Sequence, residues 1–124
     1  MGWLQNPAPH VIPISFTTAA SGTTTWSDPI RIPAGYNAFT LKWAITGGGR
    51  ITWVYSISEQ YAGDYVIPTG ASKIATSGTS ITGEAAAGTD AAYFDPEACP
   101  FMKIGAVEYT SQATALNAWL ILAR

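Results

Sequence analysis

The side chains in this chain best suited to chemistry are few. It has one histidine, His10, and one cysteine, Cys99, so the only thiol–imidazole pair its composition allows is His10 with Cys99. A dyad is the weaker of two readings. A lone histidine beside a proline-rich stretch serves as a surface or hydrogen-bonded structural residue, and Cys99, between Ala98 and Pro100, has the setting of a small buried hydrophobe. The same two residues lack further soft ligands at spacings that would hold zinc. Three successive glycines, Gly47 to Gly49, precede Arg50 rather than a lysine, and no helix follows to hold a phosphate, so the run reads as a turn.

The carboxylates carry little more. Asp90, Asp95 and Glu97 are close enough in sequence to bind calcium together with backbone oxygens, or to be solvated and capping; the second role is the commoner for acids near a loop. Asp64, beside Gly63, has the character of a turn residue bonding its own backbone. Glu108 shares strand parity with Met102, Ile104 and Ala106, and near a strand end it is expected to reach solvent or pair with a basic residue. No catalytic residue, metal ligand or cofactor-binding residue is assigned, and the chain is expected not to be an enzyme.

The elements that would position these residues are strands. Residues 1–9 carry Pro7 and Pro9 and read as an extended arm, and residues 10–124 as one sandwich domain. HVIPISF begins the first strand, with Pro13 confining it to a sheet edge or interrupting it. TWSDPIRIPAGYNA is a second edge-like strand, broken at Pro29 and closed at Pro33 and Gly35. Phe39, Leu41, Trp43 and Ile45 share one face and Ile51, Trp53, Tyr55 and Ile57 another, so the two segments joined by the glycines are expected to form an antiparallel hairpin. Burying each of these large side chains is worth about 1.5 to 3 kcal/mol, too much to leave them open as a ligand platform.

Between residues 59 and 98, short strands are expected at Tyr65 to Ile67, Lys73 to Thr76 and Ala92 to Phe94, and the small-residue run SGTSITGEAAAGTD is expected to be a mobile loop. DPEAC could form one helical turn, with Asp95 as cap. Alternation returns with Met102, Ile104 and Ala106, and again with Leu116, Ala118, Leu120 and Leu122. The expected fold is all-β: an antiparallel β-sandwich or jelly roll of about eight strands with little or no helix.

Composition sets further bounds. Charged residues make up 11% and hydrophobic ones 48%, yet no apolar run is long enough to span a bilayer. So pale a surface favours assembly with other chains. A net charge of −2 with scattered Lys and Arg argues against direct nucleic-acid binding. The opening MGWLQNPAPHVIP lacks the cationic and long apolar parts of a secretory leader, so the chain is expected to stay in the cytosol where it is made. Trp3, Trp26, Tyr36, Tyr61, Tyr65 and Trp119 lie outside the expected core faces; they either stack on sugars, or are buried or pack on neighbouring subunits. Trp119 has the parity of an outer face, and an apolar outer face points to a partner.

The order of FTLKWAITGGGRITWVYSIS, GDYVIP, a Gly and Thr rich loop, DAAYFDPEACPFMKIGAVEYT and ATALNAWLILAR resembles small β-sandwich virion proteins of tailed bacteriophages, from about Phe39 to Arg124. PFMKI is also similar to a strand of discoidin-like carbohydrate-binding sandwiches. The first resemblance implies a virion component such as a capsid decoration, or cement, protein, or else another structural component of a phage tail or head fibre: a homo-oligomer, commonly a trimer, made in the host cytoplasm and located on the virion, with the major capsid protein as partner. On that basis the expected contact residues are Trp3, Leu4, Val11 and Ile12 in and after the arm, with Trp26, Tyr36 and Trp119 packing subunits. The second implies a glycan as ligand.

Overall fold

The computed structural model describes residues 9–17, 24–47, 50–67, 88–94, 96, 99–108 and 114–123, in strands and their connecting segments. Among the described residues there are eight strands: β1 (His10–Thr17), β2 (Thr24–Trp26), β3 (Ile30–Arg31), β4 (Ala38–Thr46), β5 (Ile51–Ser58), β6 (Gly88–Phe94), β7 (Phe101–Glu108) and β8 (Ala115–Ala123). They form two antiparallel sheets. One has the order β1-β8-β4-β6; in the other, β7 is flanked by β5 on one side and by β2 and β3 along the other.

β2 and β3 behave as a single edge strand interrupted at Asp28 and Pro29. Pro29 has no amide proton to give the ladder, and Ser27 spans the gap. Its N–H donates to the Ile104 carbonyl at 2.8 Å, and its Oγ accepts the Ile104 N–H at 3.0 Å. Beyond β5, Val66 and Ile57 exchange both backbone hydrogen bonds at 2.9 Å. Counted this way the chain doubles back on itself: β1 pairs β8, β2 and β3 pair β7, β4 pairs β6, and β5 meets Val66. That nesting, rolled into two four-membered layers, is a jelly roll, and the expected fold class stands.

The core follows from period-two alternation in both layers. Phe39, Leu41, Trp43 and Ile45 of β4 and Leu116, Ala118, Leu120 and Leu122 of β8 bury themselves against Ile51, Trp53 and Tyr55 of β5 and Met102, Ile104 and Ala106 of β7. Tyr55 and Phe94 meet across the layers with ring centroids 5.7 Å apart.

Several expectations are corrected. β4 and β5 are not hairpin partners: β4 pairs β6 and β8, whereas β5 pairs β7. Alternation is the same whether consecutive strands lie side by side or face each other, and here the apolar faces are consumed by opposing one another across the sandwich. Gly47, at φ 120°, turns the chain from one layer to the other. The strand expected at Ala92 begins at Gly88, because β4 continues beside it from Phe39 to Ile45; residues 88–90, expected in the loop, are therefore paired. The strand expected at Tyr65 to Ile67 is a single bridge at Val66. Glu108 does not reach solvent: its parity with Ala106 carries it fully into the interior, opposite Ile51. Lys73 to Thr76, and Asp95, Glu97 and Ala98 of the helical turn expected at DPEAC, lie outside the described residues, and no helix occurs among those described.

Candidate interaction surfaces

Each sheet has an outer face, and the candidate residues divide between them. On the β1-β8-β4-β6 sheet, the pairing register sets Val11 beside Ile121, Ile121 beside Thr40, and Thr40 beside Tyr93. In the next row Pro13, Trp119, Lys42 and Ala91 adjoin in order. Inward neighbours are buried, so these residues project outward. Val11 is 50% and Tyr93 63% exposed. The Lys42 ammonium lies 5.4 Å from the centre of the Trp119 ring, lending the indole a partly covering cation. Lys42 is the one charged side chain on this face among the described residues. Its third row is polar, with the Ser15 hydroxyl donating to Asn117 Oδ1 at 2.9 Å.

On the other sheet, β7 presents Lys103 and Gly105 outward. Trp26 pairs with Gly105 and its indole lies over it: a β-carbon at Gly105 would sit 2.7 Å from Trp26 Cε3 and Cζ3. Opposite Lys103 on β5 is Ser56. The chain after β5 folds back over this face, held by the Val66 bridge and by the Tyr65 hydroxyl donating to the Tyr61 carbonyl at 2.8 Å. This brings the Tyr65 ring to 4.4 Å from the Lys103 ammonium. Trp26, Ser56, Asp64, Tyr65 and Lys103 thus line one cavity of about 560 Å³.

The two nucleophile candidates sit at one end of the sandwich. His10 is exposed, with its ring 6.1 Å from that of Tyr36, and Tyr36 and Cys99 line a cleft of about 450 Å³. Burial pushes the Cys99 thiol up to about 11, so at neutral pH it is protonated, the opposite of the activation a thiol nucleophile needs. Among the described residues, no group of three or more His, Cys, Asp or Glu gathers as a metal site. Asp90 accepts the Ala91 N–H at 2.8 Å through its own carboxylate, whereas Asp95 and Glu97 lie outside the described residues.

Of the contact residues expected from sequence, Val11 and Trp119 share the first outer face, Trp26 lies on the second, and Tyr36 is at the sandwich end. Ile12 faces inward and packs against the core; Trp3 and Leu4 lie outside the described residues. Sequence reasoning passed over Tyr93 and Ile121 on the first face, although both have the parity opposite to buried neighbours, Phe94 and Leu122. It also missed Ser56 and Lys103, whose meeting depends on the β5–β7 register.

No family model and no curated protein matches the chain. Over 95% of its length it is similar in structure to a chain in the structure of infectious bursal disease virus Gx strain, with a TM-score of 0.41 and 12% sequence identity. The present chain spans 33% of that one. A likeness of this size carries no functional argument.

Proposed function

We propose that the protein is a non-enzymatic component of a phage virion, a capsid decoration protein that strengthens a shell by adhering to it through the outer face of the β1-β8-β4-β6 sheet. The observation that supports this role is the character of that face: a row of Val11, Ile121, Thr40 and Tyr93 beside a row with Pro13 and Trp119, carrying Lys42 as its one charge among the described residues. Such a surface is too apolar for water to favour and gains by being covered. A specific protein contact covers about 800 Å² on each partner, and separating the shell subunits it bridges would expose that area again. Assembly as a trimer would multiply the attachment points and slow release. The major capsid protein is the partner, and the amino-terminal arm, which leads into Val11, extends the contact.

Co-sedimentation with shells assembled from that capsid protein tests the role. The wild-type chain should pellet with shells. Trp119→Glu and Tyr93→Glu, each placing a carboxylate on the face without touching the core, should lower occupancy at least about tenfold with unchanged circular dichroism. Wild-type chain left in the supernatant, or variants that bind as well as wild type, would reject the proposal.

A further inference from the structure

We infer that the cavity over the β5–β7 strand pair is a binding site for a neutral saccharide, one sugar ring of a glycan. Ser56 is 2% exposed, and its hydroxyl has no hydrogen-bond partner among the described residues, although it lines this cavity. A buried hydroxyl without a partner weakens the fold, so its presence calls for a ligand group that completes it. Beside it stand the two groups that sugar rings require. The Trp26 indole gives an aromatic wall for the apolar C–H face of a pyranose, and it can lie on the sheet because Gly105 has no side chain beneath it. Tyr65 gives a second ring, fixed by its hydroxyl bond to Tyr61 and by the Lys103 ammonium at its face.

Polar reach is matched to hydroxyls rather than to an ion. Asp64 accepts hydrogen bonds, Lys103 donates them, and Ser56 does either, which suits alcohol groups that are themselves donor and acceptor. One acid and one base in the same cavity leave no net charge to select an anionic or cationic ligand. The volume, about 560 Å³, falls in the range of small-molecule sites. This cavity is on the sheet opposite the proposed adhesion face, so the site and the shell contact are independent of each other.

Heteronuclear NMR of the full chain titrated with the methyl glycosides of glucose, galactose, mannose and N-acetylglucosamine, each to millimolar concentration, tests the inference. At least one glycoside should shift the Trp26 indole N–H and the amides of residues 64–66 along saturating curves. Ser56→Ala should weaken that binding about tenfold while leaving the thermal midpoint equal or higher, since it removes an unsatisfied hydroxyl. Lys103→Met should weaken it too. The inference is overturned when no glycoside shifts these signals, when the shifts fall instead on Trp119 and Tyr93, or when Ser56→Ala binds as tightly as wild type. Shell binding can succeed or fail under any of these results.

Discussion

Trp43 and Trp53 are neighbours across the sandwich rather than along a sheet: their ring centroids lie 6.0 Å apart, with one on β4 and the other on β5. Eight residues, four on either side of the glycine turn, therefore build the interface between the layers instead of a common ladder. Trp53 is fully buried, and replacing it with alanine should cost about 3 to 5 kcal/mol, measured as a lowered urea midpoint. A loss under about 1 kcal/mol would show that the site collapses freely or is not core.

The Gly105 position should be intolerant for a reason specific to Trp26. A β-carbon there meets Trp26 ring carbons at 2.7 Å and Thr24 Cγ2 at 2.9 Å. Gly105→Ala should destabilise by about 1 to 3 kcal/mol, and pairing it with Trp26→Ala should recover part of that loss in a double-mutant cycle. Strict additivity of the two changes would contradict the contact.

Ser27 should matter through its hydroxyl, which also donates to the Asp28 carbonyl at 3.0 Å. Its Oγ accepts the Ile104 N–H where Pro29 prevents the edge from continuing. Ser27→Ala should cost about 1 to 3 kcal/mol and raise hydrogen exchange at the Ile104 amide, whereas Ser27→Thr should keep protection. Unchanged exchange in Ser27→Ala would remove Ser27 from this role.

Cys99 should react as a sheltered thiol. Its pKa is raised by burial to about 11, above the value of 9.0 for an ordinary thiol. The unfolded chain therefore releases this proton first as pH rises, so the thiol's contribution to stability is present below about 9 and lost as pH climbs through about 11. Alkylation of the native protein should stay slow at pH 8 and accelerate only toward the upper end of that window, and Cys99→Ala should flatten the stability profile there. Rapid alkylation at pH 8 would show the thiol to be activated.

How far the sequence disclosed this molecule depends on which physical rule governed each part. Alternation in residues 38–46, 101–108 and 115–123 named the inward residues of β4, β7 and β8, because side-chain direction in a strand is a local property. Pro13 and Pro29 marked edges for the same local reason, the missing amide proton. Pairing partners were not legible. Whether β5 bonds to β4 or faces it depends on the whole set of strands competing for β4, which β8 and β6 take. Of the two places expected for Glu108, solvent is the one the structure overturns, because its parity with Ala106 outweighs a carboxylate's preference for water. Trp119 and Val11 were visible as candidates one at a time, but their place on one face follows from the β1–β8 register. The cavity around Ser56 was invisible for a similar reason: it joins β2, β5, β7 and the returning segment.

A single-particle reconstruction of capsid shells incubated with the full chain puts the adhesion role to the sharpest trial. It should show added density over junctions between capsid subunits, with the strands β1, β8, β4 and β6 turned toward the shell and Tyr93 and Trp119 covered by protein. Shells without added density, or a bound chain whose β1-β8-β4-β6 face looks out into solvent, would contradict it.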